Sequence, residues 1–331
     1  MGADAARRIE RVVFDEYDIR TWYPSPYPLE EELANATLYV CAGCFKYMAT
    51  PATLHTHRRA CPHRHPPGRK VYQRGAHIIW EVDGALQKLY MQNLCLFGKL
   101  FIDHKTVYFD VEPFVCYLLT DATSQFDHVL GFFSKEKVSY DDYNLACIVV
   151  FPPFQRKGYG TLLMEYSYWL SRQAAVAGTP ERPLSALGLR GYVAFWAAQV
   201  LRTLQCAYTA DAPGARRLRT VLAGEAVPAP APADTPKRRK TARGWEGELV
   251  KAAPPAPPAP NGPTVPLPPE TTLARLAAAA GLRVDDTTLA LAHAGLLMER
   301  DGRVCLSRAA IDAAAARLRV KPAILDEAYL L

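Results

Sequence analysis

Thirteen of the chain's 27 prolines fall between Pro228 and Pro269, in runs such as PAPAPAD and APPAPPAPNGP. Proline has no backbone N–H to donate and fixes φ, so such a run cannot continue a helix or sit inside a sheet. Its composition buries little and favours extended, solvated chain. Residues 206–269 are therefore expected to be a disordered insertion without helix or strand. A core has to be assembled from residues 1–205 and 270–331. Half of the 331 residues are apolar, enough for a large core in two domains or in one domain with additions.

Before the insertion the pattern is mixed. VYFDVEPFVCYLL, HVLGFFS and NLACIVVF are rich in β-branched and aromatic residues and read as strands. DATSQFD and KVSYDDY read as the turns between them, which predicts antiparallel neighbours. A helix follows, with Leu162, Leu163, Tyr166 and Leu170 on one face. After the insertion, TTLARLAAAAGL and DDTTLALAHAGLLMER read as helices, with Thr or Asp near each start as N-cap candidates. RVCLS reads as a short strand and RAAIDAAAARL as another helix. That order suits a small winged-helix-like unit or a helical lid on the core.

The formal charge of +6 is unevenly spread. Residues 1–40 carry a net −4, residues 41–80 a net +7 with no acid, and residues 81–205 a net −1. A net charge this small excludes a histone-like polybasic protein and leaves room for a local basic patch. No apolar run reaches the ~20 residues that span a bilayer, so no membrane partner is expected. The start, MGADAARRIE, has no apolar h-region, and Ala6 stands where a myristoylation signal wants Ser or Thr. Eight cysteines, three of them clustered, point to a reducing compartment and not to a disulfide scaffold.

That cluster has the spacing Cys41-x2-Cys44-x12-His57-x3-Cys61. Two cysteines on a tight turn can supply one half of a tetrahedron, and a pair one helical turn apart the other half. Thiolates with an imidazole suit one structural zinc. His57 is preferred over His55, His63 and His65 because it lies four residues before Cys61. The alternative is three unrelated buried cysteines. The basic charge around the finger leaves two uses open: a non-specific phosphate contact with DNA, or a structural module packed on the core.

Gln155-Arg156-Lys157-Gly158-Tyr159-Gly160 joins the last strand to the helix. Glycines allow close backbone approach, and the first amides of a helix point outward with its dipole behind them, which makes a pyrophosphate site.

NLACIVVFPPFQRKGYGTLLMEYSYWLS, followed by TPERPLSALG, resembles the acetyl-CoA site of the MYST-family histone acetyltransferases. RTWYPSPYP, LYVCAGCFKYM, RHPPG, EVDG and LYMQNLCLFGKLFIDHKTVYFDVEPF resemble the family's upstream motifs. The likeness covers roughly residues 9–205 and returns weakly after 270. It implies an α+β fold: an N-terminal segment, 1–80, with a CCHC-type zinc finger, and a GNAT-like acetyltransferase core over 81–205. The C-terminal helical segment is 270–331. Only about eight residues precede the matched region, so a chromodomain-like module ahead of it is not expected.

The resemblance also implies roles. Glu181 aligns with the general base and Cys147 with the active-site cysteine. Backbone at Ile148, Val149 and Val150, the loop Gln155, Arg156, Lys157, Gly158, Tyr159, Gly160 and Thr161, and nearby Ser185 would hold acetyl-CoA. Lys105 aligns with a lysine that family members acetylate on themselves. Thr161, Val150 and Ala194 depart from the family's usual basic residue, Thr and Ser, which weakens the expected cofactor grip without removing the base. The expected activity is transfer of acetyl to lysines of histone tails, in a nuclear, multi-subunit chromatin complex. A catalytically weak scaffold and an acetyltransferase for non-histone lysines are the alternatives. Pro236-Lys237-Arg238-Arg239-Lys240 is a nuclear-localisation candidate.

Overall fold

The computed structural model describes residues 9–29, 36–103, 105–123, 125–209, 220–223, 270–297, 299–300 and 303–331. Its centre is a five-stranded antiparallel sheet in the order β5-β6-β7-β8-β9. These strands are Arg69–Arg74, His77–Asp83, Phe114–Ala122, Asp127–Glu136 and Cys147–Val150. The predicted antiparallel neighbours are present, but β7 starts at Phe114, so the stretch before Pro113 is not strand. Proline cannot donate to a ladder, and the Pro113 carbonyl instead accepts from the Lys137 amide at 2.9 Å.

Successive strand residues face opposite ways, and two helices use both faces. On one face Phe132 of β8 meets helix α2, Lys88–Lys99, so closely that a Cβ on Gly98 would lie 2.8 Å from its ring. On the other, Tyr117 and Phe133 meet Tyr166 of helix α3, Tyr159–Gln173, with ring centroids 5.4 and 6.4 Å away. Helix α3 is buried on a broader front than expected. Leu162, Leu163 and Tyr166 are buried, together with Glu165, Ser167, Tyr168 and Ser171, while Leu170 is only half-buried.

The N-terminal module is a small sheet ordered β2-β1-β3-β4, with strands Tyr17–Arg20, Arg11–Phe14, Thr37–Val40 and Tyr47–Met48. Helix α1, Pro51–Ala60, starts where the Thr50 hydroxyl accepts from the Thr53 amide at 3.2 Å. An aromatic cluster fastens this module to the core. Phe14 and Phe45 lie 4.7 and 5.5 Å from Phe97 of α2, and Phe97 lies 4.8 Å from Phe151 just after β9.

Helix α4 spans Ala186–Thr209 and so runs past residue 206, where regular structure was expected to stop. Strand β10, Thr220–Ala223, also lies inside the stretch read as insertion. It pairs in parallel with β11, Glu270–Thr271, and antiparallel with β13, Arg303–Leu306, which pairs in turn with β12, Glu299–Arg300. These partners come from the far side of the proline runs, so local composition could not announce them. The proline runs and Lys237–Lys240 lie outside the described residues. Helices α5, Leu273–Ala280, α6, Val284–His293, and α7, Arg308–Arg317, pack along α4. Thr272 caps α5 as expected, whereas the N-cap of α6 is Arg283 and makes no side-chain cap. No helix among the described residues is long and apolar enough to cross a membrane.

Candidate active site and metal centre

The donor atoms of Cys41, Cys44, His57 and Cys61 all lie within 4.8 Å of one another. The sulfurs of Cys41 and Cys61 are 3.8 Å apart, and Cys44 Sγ is 3.2 Å from His57 Nε2. Zinc–sulfur bonds of about 2.3 Å give a tetrahedral sulfur–sulfur edge of roughly 3.8 Å. Burial pushes the Cys61 thiol up, so three thiolates in this volume need a compensating cation, which a divalent zinc supplies. The turn that presents the first pair depends on Gly43, where a Cβ would meet the His63 carbonyl oxygen at 2.5 Å. A cavity of about 220 Å³ beside the finger is lined by Asp15, Arg58, His63, Arg64, Phe126 and His128 among others. None of the residues expected to handle an acyl group lines it.

Glu181 follows a short parallel bridge between Leu145 and Pro180. Its amide donates to the Leu145 carbonyl at 2.8 Å, and the Asn144 amide donates to the Thr179 carbonyl at 2.9 Å. These bonds hold the Glu181 loop against the lead-in to β9. The residue is exposed as a whole, yet partial shielding of its carboxyl group raises its pKa above the ordinary carboxylate value. Glu136 adds to the rise and Lys105 opposes it.

Cys147 opens β9, with its amide donating to Ser134 Oγ at 3.2 Å. Burial pushes its thiol pKa up; Lys105 pulls the other way. Lys105 itself is buried. Burial favours its neutral form, but Cys95, first among its neighbours, outweighs that and the ammonium is held. Cys95 on α2 is brought down to about 6, chiefly by a hydrogen bond from Cys116 of β7. The fold thus brings Glu181, Cys147 and Lys105 together, and adds Cys95 and Cys116 from two other elements.

Beyond the Pro180 bridge, β9 has a strand partner on one side only among the described residues. The outer backbone edge at Ile148–Val150 therefore has donors and acceptors to offer an extended ligand. Gln155 Nε2 donates to the Val150 carbonyl at 2.8 Å, tying the glycine loop to the strand and occupying that one acceptor. Gly158, with φ of 91°, is the N-cap of α3, and no side chain caps the helix. Its first amides are free for an anion, with exposed Arg156, Lys157 and Thr161 around them. Tyr159 turns aside, its hydroxyl 3.3 Å from His77 Nε2, and at Gly160 a Cβ would make only ordinary contact with Val150, at 3.8 Å. Ser185 has another task, since its hydroxyl accepts from the Gly188 amide at 3.0 Å in the first turn of α4. The residues present fit acetyl-CoA: a polar strand edge for its amide arm, then a glycine cradle with helix amides for its pyrophosphate.

Two family profiles match this chain, the MYST family zinc finger domain over residues 6–61 and the MOZ/SAS family over residues 65–218. The chain belongs to the MYST family. Histone acetyltransferase MOF of Drosophila melanogaster is 48% identical over 197 residues, which are 60% of this chain and 24% of that protein. Histone acetyltransferase KAT6B of Homo sapiens is 45% identical over 201 residues, 61% of this chain and 10% of its own. KAT6A of Rattus norvegicus is 46% identical over 193 residues, 58% of this chain and 10% of its own. The chain thus spans about a quarter or less of the curated relatives it matches.

The MYST zinc finger carries the CCHC cluster read from spacing. What sequence reasoning missed is the company of Lys105. Cys95 and Cys116 look like ordinary apolar-run cysteines, and only pairing α2 with β7 reveals them as its neighbours. Lys105 sits in FIDHKTVYF, where Asp103, His104 and Thr106 break the apolar run, so no local signal marked it as buried.

Proposed function

We propose that this MYST-family chain is a nuclear lysine acetyltransferase that acts on histone tails, with Glu181 as general base and direct attack by the substrate amine. The observation that carries the reading is the Glu181 loop. It is bonded to the lead-in of β9, and its carboxyl is raised by partial shielding and sits beside Cys147 and Lys105. A free lysine has a pKa near ~10.4, so at pH 7 forming the neutral amine takes ~4.6 kcal/mol. A carboxylate beside the amine accepts that proton, and a raised pKa brings it toward the working range. Bound acetyl-CoA supplies the thioester that the amine attacks. The glycine loop and the first amides of α3 hold its phosphates, and backbone amides of Ile148–Val150 polarise the carbonyl. Burial keeps Cys147 a protonated thiol, which supports direct attack over an acetyl-cysteine route and makes Cys147 a wall of the pocket.

Zinc serves the finger as one closed structural site, and the aromatic cluster of Phe14, Phe45, Phe97 and Phe151 favours a module packed on the core. Its basic charge is partly spent within the chain, because Arg58 pairs with Asp15 at 2.6 Å and Arg69 with Glu81 at 2.7 Å. A non-specific DNA contact is therefore secondary to histone recognition and to a chromatin complex. We read the GNAT-like core as starting at β5, because the boundary expected at residue 81 would cut through β6, and the C-terminal helices as a lid, with the β12–β13 hairpin as its wing-like element.

The test is transfer from labelled acetyl-CoA to free histones and nucleosomes, comparing wild type with Glu181→Gln and Cys147→Ser. Wild type labels histones, Glu181→Gln loses at least ~10²-fold, and Cys147→Ser keeps much of the rate. Equal rates in wild type and Glu181→Gln remove Glu181 as the base. Transfer by neither, with zinc bound, favours the scaffold. A trapped acetyl on Cys147 that turns over overturns direct attack.

A further inference from the structure

Asp286 is fully buried, at 0% exposure, in the first turn of α6. A carboxylate survives such burial only with partners. Its partners are not in its own helix. The Thr179 hydroxyl donates to one oxygen at 2.8 Å, and the Arg182 guanidinium pairs with the other. Thr179 and Arg182 stand two residues before and one residue after Glu181. Asp286 therefore grips the Glu181 loop from both sides of the base, across 104 and 107 residues of chain.

The rest of the loop leaves little freedom. Main-chain bonds to Asn144 and Leu145 hold its inner edge, and the Arg182 guanidinium lies over the Trp196 ring of α4, 5.9 Å from its centroid. Gly178, just before the loop, admits no side chain, since a Cβ would lie 2.5 Å from Asn144 Nδ2. It also bridges to Leu282 at the approach to α6. Arg283 donates to the Asp141 carbonyl and stacks on Tyr143, so the start of α6 also holds the segment entering β9.

We propose that Asp286 is a positioning residue for acetyl transfer, fixing the Glu181 carboxylate from the C-terminal segment by clamping Thr179 and Arg182. The proposal rests on Glu181 being the base. It assigns the C-terminal helices a part in the chemical step that neither motif nor finger supplies. Misplacing a reacting group by about 1 Å can cost ~10²-fold in rate, which sets the scale of the effect.

The experiment uses the full chain with zinc bound. Asp286→Asn keeps the shape and one acceptor for Thr179 but loses the ion pair. Thr179→Val removes the hydroxyl at nearly constant volume and serves where the first variant folds poorly. Each is compared with wild type and Glu181→Gln for kcat, for the KM of acetyl-CoA, and for hydrogen exchange at the Glu181 amide. The expected result is a kcat loss of ~10–100-fold, a KM within about twofold, and faster exchange at that amide, which a defect elsewhere in the fold would not single out. If Glu181→Gln is impaired while Asp286→Asn and Thr179→Val turn over at the wild-type kcat, the positioning role is overturned and the base stands. If exchange is unchanged while kcat falls, Asp286 acts other than through the loop and the proposal is equally overturned. Full activity in Glu181→Gln removes the base and the proposal with it.

Discussion

Glu165 lies in the middle of α3 with only 6% of its surface exposed. Its Oε2 accepts from the backbone amides of Ile324 at 2.7 Å and Leu325 at 2.8 Å, and its Oε1 faces Arg202 at 3.4 Å. It is thus the clasp of the C-terminal strap, whose end reaches β5, where the Leu331 amide donates to the Val71 carbonyl at 3.1 Å. Each hydrogen bond to a charged group is worth about 1.5–3 kcal/mol, and Glu165→Ala deletes both while leaving Arg202 without its carboxylate. Fraying lets the freed amides reach water, so the net loss is set at ~3–5 kcal/mol. At ~2–4 °C per kcal/mol for a domain of this size, the melting temperature falls by ~6–20 °C. Glu165→Gln keeps acceptor oxygen without charge and loses roughly half as much. The strap also reaches the glycine loop, because Ile324 Cδ1 lies 3.2 Å from where a Cβ on Gly158 would be. Loosening it should raise the KM of acetyl-CoA several-fold with a smaller change in kcat. Thermal melts and steady-state kinetics on the same preparations check both parts. A melting temperature within about 1 °C of wild type would refute the clasp, and a large drop with unchanged KM would refute its link to the phosphate loop.

Metal analysis should return about one zinc per chain, and Cys44→Ser should lower both the metal content and the melting temperature, because a structural zinc is coupled to folding. Wild-type protein that melts identically after chelation would exclude a structural role. Gly158→Ala places a side chain at φ of 91° and against Ile324, so the KM of acetyl-CoA should rise, by about tenfold for ~1.4 kcal/mol of strain. The sign of the pH dependence follows from Glu181. A base whose pKa is raised is protonated and inactive on the acid side, so the acid limb of kcat should lie above the ordinary carboxylate range and vanish in Glu181→Gln. A profile of identical shape in both proteins would mean another group titrates.

The parts legible in the sequence are those whose chemistry is local. The finger was readable because its four ligands sit within 21 residues and their spacing is fixed by a turn and a helix. The strands β8 and β9 and helix α3 were readable because each carries its own pattern of apolar residues. Ser185 came only with the family resemblance; in the fold its hydroxyl accepts from the Gly188 amide at the start of α4, which leaves its own proton to donate. The strand Thr220–Ala223 was hidden because its hydrogen bonds go to Arg303–Leu306, 80 residues on.

Asp285 and Asp286 show where local reading stops. Both are acids in the first turn of α6, and the helix dipole welcomes either. In the fold Asp285 faces solvent and Asp286 is fully buried against Thr179 and Arg182. Nothing in DDTT separates them, because what separates them is the angle at which α6 meets a loop more than 100 residues earlier. That angle is set by α6 packing on α4, the helix that follows the Glu181 loop directly. Helix α4 therefore fixes one end of the loop through the chain itself and the other through the partner it holds in place. Contacts across the α4–α6 interface are therefore constrained, because a shift there moves Asp286 relative to both residues that flank the base.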